Sequence, residues 1–276
     1  MLNFSIILPV LNAEQTVERC IHSLISQNYP KNRYEIIVVD NDSSDNTLSV
    51  LKKYSQKIRL LHEPKRGSYS ARNKGIKHAK GSIMAFTDSD CIADKNWLSF
   101  LSRPFRNRNV MIVGGKISSN NLNSVLLRYC NEFGHPQQLF SNSNVPFFAT
   151  ANMAVRKSKG MRFNESLKSC GDLEFCSRII NKRNEIYYEP EAVVRHLYPN
   201  SLVEFAKKNF FYGLWKYSIG EKGKLNFVPL PGHRVLYKNY GASFIFLRIF
   251  HDASFNIGFY MGLIKNKISK YRNYSK

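Results

Sequence analysis

Val38-Val39-Asp40-Asn41-Asp42-Ser43-Ser44-Asp45-Asn46-Thr47 is an apolar, β-branched run that ends in acids just before a helix-forming segment. Runs of the same kind occupy residues 4–10, 34–40, 58–62, 83–87 and 110–117, and helix-like stretches at 13–27, 46–54, 68–79 and 95–101 lie between them. This β-α-β-α rhythm predicts an α/β fold, a mixed and mainly parallel sheet flanked by helices. In such sheets ligands collect beyond the carboxyl ends of the strands. The residues that follow the runs, 9–12, 40–45, 63–67 and 88–90, are therefore the first candidates for function, and acids recur among them.

Four polar signals stand out. Asp45 sits where a helix N-cap belongs, which accounts for it structurally. Asp40, still at the strand end, has no such explanation: it is either a solvated loop acid or an acceptor for an imide N–H or a ribose hydroxyl. The second signal is Phe86-Thr87-Asp88-Ser89-Asp90-Cys91. Residues i and i+2 of an extended chain point the same way, about 6.6 Å apart, so two carboxylates can converge on one cation. Hard oxygen ligands that leave room for phosphate oxygens suit Mn²⁺ or Mg²⁺. An Asp-x-Asp is common by chance, and its place at a strand end is what gives this one weight.

Third is Ser169-Cys170-Gly171-Asp172-Leu173-Glu174-Phe175, with Asp172 at the start of a helix expected over 172–180. The helix dipole favours the ionised carboxylate a general base needs, and equally suits a purely structural acid. Fourth is His196, after the apolar run 192–194. A lone histidine is more often packed than ligating unless it completes a carboxylate site. A further extended stretch is expected over 146–156.

Several function classes fall away. A Rossmann oxidoreductase needs a glycine-rich turn after its first strand, where backbone approaches pyrophosphate. Here the turn is Pro9-Val10-Leu11-Asn12-Ala13-Glu14, without glycine. The same absence argues against a sugar nucleotidyltransferase with a triphosphate-binding loop. The formal charge of +21, from 41 Lys+Arg against 20 Asp+Glu, calls for a polyanionic partner. No zinc-finger, helix-turn-helix or RNP-type pattern accompanies it, so nucleic acid is not the expected one. Five cysteines without CxxC spacing suggest neither a disulfide framework nor a zinc knuckle, which fits a reducing compartment.

In this order the signals resemble family 2 glycosyltransferases of the glycosyltransferase-A fold, over about residues 3–217. The resemblance rests on Ser5-Ile6-Ile7-Leu8-Pro9-Val10-Leu11-Asn12, the run from Val39 to Thr47, Ala71-Arg72-Asn73-Lys74-Gly75-Ile76, residues 81–90 and 149–156, Gly171-Asp172-Leu173-Glu174-Phe175, and His196. It implies an inverting, metal-dependent transferase that moves sugar from a nucleotide-sugar donor, expected to be a UDP-sugar, to a hydroxyl of a glycan or lipid-linked acceptor. By the same resemblance Pro9 and Leu11 border the base, Asp40 binds uracil, and Arg66 and Arg72 serve the uridine or phosphates. Asp88 and Ser89 meet the donor, with Asp88 on the ribose. Asp90 binds Mn²⁺ or Mg²⁺, with His196 completing the metal site. Ala151 and Asn152 line the donor-sugar pocket, and Asp172 is the catalytic base. Two departures matter. Asn41 replaces the usual second acid after Asp40, and Gly171-Asp172 replaces the commoner Glu-Asp pair. The alternatives are a sugar nucleotidyltransferase, despite the missing loop, or a catalytically inactive scaffold of the same fold.

The expected division is a catalytic domain over 1–217, with its donor-binding half over about 1–117 and its acceptor half over about 118–217, and a basic amphipathic helical tail over 218–276. From residue 199 onward 13 Lys and Arg face three acids. The aromatic stretches 202–217 and 242–268 are amphipathic, and charges interrupt the second, so no uninterrupted span of about 20 apolar residues is present. It reads either as an interfacial helix on an anionic membrane surface or as a packing helix. The N-terminus shows no basic region or cleavage site ahead of residues 3–10. The expected place is the cytoplasm, peripheral on the cytoplasmic face of the membrane.

Overall fold

The structure, a computed structural model, describes residues 2–119, 121–133, 148–167, 169, 171–180, 184–198, 201–220 and 242–274, and only the backbone of 215–220, 263 and 265–274. Cys170, residues 146 and 147 of the extended stretch expected at 146–156, and residues 221–241 and 275–276 of the expected tail lie outside these. The chain forms two compact units, one of Met1–Asn120, His135–Glu165 and Gly171–Leu197, the other of Asn121–Gly134, Ser166–Cys170 and Tyr198–Lys276.

The first unit is an eight-stranded sheet with helices around it. In chain order the strands are β1 (Phe4–Val10), β2 (Tyr34–Asp40), β3 (Arg59–His62), β4 (Ile83–Phe86), β5 (Cys91–Ala93), β6 (Val110–Ser119), β7 (Met153–Arg156) and β8 (Glu185–His196). They lie side by side as β3-β2-β1-β4-β7-β6-β8-β5. β3, β2, β1 and β4 are mutually parallel, β6 and β8 are parallel, and β7 and β5 run antiparallel to their neighbours. Helices α1 (Val17–Ile25), α2 (Thr47–Lys52), α3 (Ser68–His78) and α4 (Trp97–Ser102) fill the crossovers, and α6 (Gly171–Ile179) precedes β8.

Sequence explains the core. All seven residues of β1 are buried, as a central strand covered on both faces requires. On α1 the apolar residues Val17, Cys20, Ile21 and Leu24 recur at helical spacing and are buried, while the polar positions between them face out. Gly81 lets the chain enter β4 beside the start of β1, because a Cβ there would meet the backbone of Phe4 and Ser5 at 2.6 Å. Two elements depart from expectation. Residues 146–156 were expected to be extended throughout, but Thr150–Asn152 forms a 3₁₀ turn before β7. β8 is twelve residues long where only 192–194 read as an apolar run, since polar positions such as Glu185, Glu189 and Glu191 interrupt its pattern.

A side-chain hub joins the middle of the sheet. Asn152 is fully buried; its Oδ1 accepts a hydrogen bond from Trp97 Nε1, and its Nδ2 donates to the carbonyls of Lys116 and Ala192, each at 2.8 Å. In the second unit α5 (Val125–Phe133), α7 (Leu202–Gly220) and α8 (Ala242–Tyr274) enclose Leu126, Tyr129, Phe205, Phe244 and Leu247. Gly213 and Gly258 let α7 and α8 approach closely, because a Cβ on either would strike the backbone of the other helix.

Replacing Asn152 with alanine is expected to leave one buried donor and two buried carbonyls unmet. At about 1–3 kcal/mol per orphaned group with partial relaxation, Asn152→Ala should lower the unfolding free energy by about 3 kcal/mol in urea titrations. A loss below about 1 kcal/mol would refute the hub.

Candidate active site

The parallel strands of the first unit end together, and a cleft of about 450 Å³ opens there, lined by Pro9, Leu11, Arg72, Asp88, Ser89 and Asp90 among others. Its first wall is two loops knitted by side chains. Asn12 accepts from the Ser44 N–H at 2.8 Å, and Glu14 and Asp45 each take a backbone N–H of the opposite loop. Asp45 also accepts from the N–H of Thr47, the first residue of α2, although the N-cap position itself falls on Asn46, one residue later than expected.

Asp40, at the end of β2, is buried at 3% exposure. Its Oδ2 lies 3.5 Å from His62 Nδ1, whereas Oδ1 is buried without a hydrogen-bond partner among the described residues. A buried carboxylate oxygen left unmet is costly, which sets Asp40 apart from the solvated acids of the neighbouring loop. Asn41, which in sequence looked only like a lost acid, holds the next loop: Nδ2 donates to the carbonyls of Glu63 and Lys65, and Oδ1 accepts from Gly67 N–H. Gly67, at φ +137°, takes a backbone conformation that side chains disfavour, and α3 starts from it. Gly67 and Ser68, at the start of α3, border the cleft, where the free amides of a helix N-terminus suit an anion.

Arg72, one turn into α3, is buried, and its guanidinium donates to Asp88 Oδ1 at 2.5 Å while Nε has no partner among the described residues. It also lies over the rings of Tyr69 and Phe163. Arg66 is exposed and bonded to Asp42, whose φ of +67° marks the loop turn.

The short strand β5 pairs antiparallel with β8 in the register Cys91↔His196, so a histidine over a hundred residues away arrives beside Asp90. His196 Nε2 and Asp90 Oδ2 are 3.5 Å apart. Ligand atoms of Asp90, Cys91 and His196 all lie within 4.8 Å of one another. Burial, then the charges of Asp90 and Asp88, push the Cys91 thiol well up, so without a metal the ready donors are the Asp90 carboxylate and the His196 imidazole. That set fits a divalent cation of the Mn²⁺ or Mg²⁺ class.

Asp172, second residue of α6, is half-buried. Burial raises its pKa, while the Leu173 N–H and the nearby Arg72 charge pull the other way. Asp88 adds a smaller upward push, so Asp172 shares the electrostatic environment of the cleft. Gly171 donates to Tyr69 Oη at 2.7 Å, and a Cβ at 171 would meet the Tyr69 ring at 2.5 Å. Tyr69 therefore fills the space of the side chain that the commoner Glu-Asp pair would carry.

Of the residues singled out from sequence, Pro9, Leu11, Arg72, Asp88, Ser89 and Asp90 come together on the cleft. Asp40 and Arg66 flank it through Asn41 and Asp42, and Asp90 meets His196. Ala151 and Asn152 are buried, and the Asn152 amide is engaged in the hub already described. Asn41 and Tyr69 were missed; both act through contacts that exist only once the loops are folded.

Comparison with known proteins agrees with this geometry. Residues 5–161 match the family model described as glycosyl transferase family 2. Glycosyltransferase AglE of Haloferax volcanii is 30% identical over 76% of this chain and 71% of its own. The poly(ribitol-phosphate) β-N-acetylglucosaminyltransferase TarS of Staphylococcus aureus is 28% identical over 67% of this chain, which spans about a third (34%) of that protein. TarS residues 1–349 in complex with UDP-GlcNAc share the fold at a TM-score of 0.58, with 22% identity over 81% of this chain and 68% of that one. The Pyrobaculum calidifontis mannosyltransferase PcManGT, in complex with GDP-Man and Mn²⁺, does so at 0.63, with 17% identity over 92% of this chain and 74% of the other. The fold is that of glycosyltransferase-A enzymes, and the chain belongs to glycosyl transferase family 2.

Proposed function

We propose that the protein is an inverting glycosyltransferase that moves a sugar from a UDP-sugar to a hydroxyl of a cell-envelope glycan or lipid-linked acceptor. The observation that carries this reading is the meeting of Asp90 with His196, at 3.5 Å, on the same cleft as the Arg72–Asp88 pair. The UDP-GlcNAc complex of TarS and the Mn²⁺ complex of PcManGT support the donor and metal classes.

In this reading the unpaired oxygen of Asp40 accepts the imide N–H of uracil, Asp88 meets the ribose, and Arg66, Arg72 and the N-terminus of α3 face the diphosphate. Ala151 and Asn152 support the donor-sugar pocket from behind. Asp90 and His196 hold Mn²⁺ or Mg²⁺, which when bound offsets charge on the leaving diphosphate. Asp172 takes the proton of the acceptor hydroxyl as its oxygen attacks the anomeric carbon, and the bond to the diphosphate breaks in the same displacement. Residues 1–217 would carry this chemistry, with the donor half over 1–117, and 218–276 would form the tail.

The tail reading gains support from α8. Phe246, Ile249, Ile257, Tyr260, Met261 and Ile264 are all more than half exposed. At 3.6 residues per turn they fall within about 120° of arc, opposite the face that buries Phe244 and Leu247. Among the described residues no helix is long and apolar enough to cross a membrane. An apolar stripe on a chain segment with 13 cations and three acids suits the interface of an anionic bilayer on the cytoplasmic side.

Asp172→Asn is expected to cut turnover by about 10²-fold or more while UDP affinity holds. Because the base works deprotonated and burial raises its pKa, the acid limb of kcat should centre above the ordinary carboxylate value of about 3.9 and vanish in the variant. Turnover above a tenth of wild type would reject Asp172 as the base. In calorimetry of UDP with and without Mn²⁺, Asp90→Ala should abolish the metal-dependent gain in affinity and His196→Ala should reduce it; wild-type behaviour in both would place the metal elsewhere. For the tail, full-length protein should pellet with anionic but not neutral vesicles, less so at high salt. Ile249→Glu with Ile257→Glu should abolish pelleting, and retained pelleting would dismiss the stripe as the membrane contact.

A further inference from the structure

A second and larger cavity, about 1040 Å³, opens at the other end of the sheet. Leu2, just before β1, lines it, and so does Arg156, the last residue of antiparallel β7, which pairs with Ile83 at the start of β4. The donor cleft begins where β1 ends. Seven residues of strand at about 3.3 Å each put the two openings about 20 Å apart through the sheet.

Five cations from three chain segments line this cavity: Lys31, then Arg103, Arg106 and Arg108, and Arg156. No aspartate or glutamate is among its lining residues. Three of the five are held in place. Arg156 donates to the carbonyls of Val110, Phe105 and Asn107, Lys31 donates to those of Ile25 and Gln27, and Arg103 pairs with Glu191. Arg106 and Arg108 are exposed, and their guanidiniums have no hydrogen bond or ion pair among the described residues. Arg156 is pressed toward its neutral form by burial and then by the charge of Arg108, so like charges crowd here, and Glu191 relieves only Arg103. An ordinary solvated face mixes signs and is convex; this one is concave and of one sign.

We propose that this cavity is a second anion site, which takes adjacent phosphoryl groups of a soluble polyanion such as a phosphodiester-linked chain or a polyphosphate. Guanidinium forks match phosphate oxygens bidentately, and the volume exceeds what one phosphate fills. A concave pocket also suits a chain that enters it better than the flat face of a bilayer. The site stands apart from the nucleotide-sugar reading, since it uses none of the cleft residues.

The test is calorimetry of inorganic tripolyphosphate with the full chain, in chelator so that no metal contributes. Arg106→Ser with Arg108→Ser should weaken binding about tenfold or more, while Arg66→Ser, at the donor cleft, should change it little. Both positions in the double variant are exposed, so its melting temperature should match wild type, as should its metal-dependent affinity for UDP. Undiminished tripolyphosphate binding by the double variant, or a loss matched by Arg66→Ser, would overturn the site. Phosphatidylglycerol vesicles form the second arm. A double variant that loses vesicle binding yet keeps tripolyphosphate would assign the arginines to a lipid surface and overturn the proposal; loss of tripolyphosphate with vesicle binding intact is the expected result.

Discussion

A guanidinium taken out of water has to find an acceptor, and the buried Arg72 finds it in Asp88. The pair ties α3 to the end of β4, where the Asp-x-Asp segment begins. One helical turn earlier on the same face, Tyr69 accepts the Gly171 N–H and stacks on Phe163, which stacks in turn on Phe175 of α6. A single helix thereby positions the acid proposed for the ribose and the helix that carries Asp172. Its own start is set by Gly67 and by the Asn41 amide. The donor cleft and the proposed base are therefore parts of one packed arrangement rather than independent loops.

The parallel half of the sheet was legible because its signal is redundant. β1 and β2 are read from continuous apolar runs, and each is followed by a polar turn and a helix, so period, composition and punctuation agree. The antiparallel half was not. β5 has three residues, too few for any period to show, and β8 alternates with acids and carries a register shift between Gly115 and Lys116 of its partner strand. Yet it is the β5–β8 pairing that brings His196 to Asp90. Sequence could propose the histidine as a ligand, and only pairing register could place it there.

Asparagines divide the legible from the illegible in the same way. A carboxylate at a strand end announces charge, whereas Asn41 and Asn152 act by satisfying backbone groups that no sequence pattern ties to them. Asn41 in place of an acid looks like an attenuated site; in the fold it supplies two N–H donors to carbonyls that a carboxylate could not serve. By resemblance Asn152 lines the donor-sugar pocket, a role its sequence context suggests; that its amide also bolts Trp97 to β6 and β8 no pattern could tell. The arginine-lined cavity was equally hidden, because its cations are scattered from Lys31 to Arg156 and only the strand order collects them.

The glycine at 171 follows from the same packing. Where two carboxylates stand side by side, each raises the pKa of the other, and one can hold the proton that the other must take. Here the second carboxylate is absent and the Tyr69 ring fills its place, so the Asp172 carboxyl is governed instead by burial, with Leu173 N–H and Arg72 opposing. Burial alone raises the pKa of a carboxylic acid and sharpens its basicity; the Leu173 N–H, and after it the nearby guanidinium, limit the rise. The two influences come from different elements, α6 and α3, and are held in fixed relation by the Tyr69–Gly171 hydrogen bond. For the base role proposed for Asp172, the loss of a neighbouring acid is thus a change in how the pKa is set, from a like charge to desolvation balanced by a buried cation.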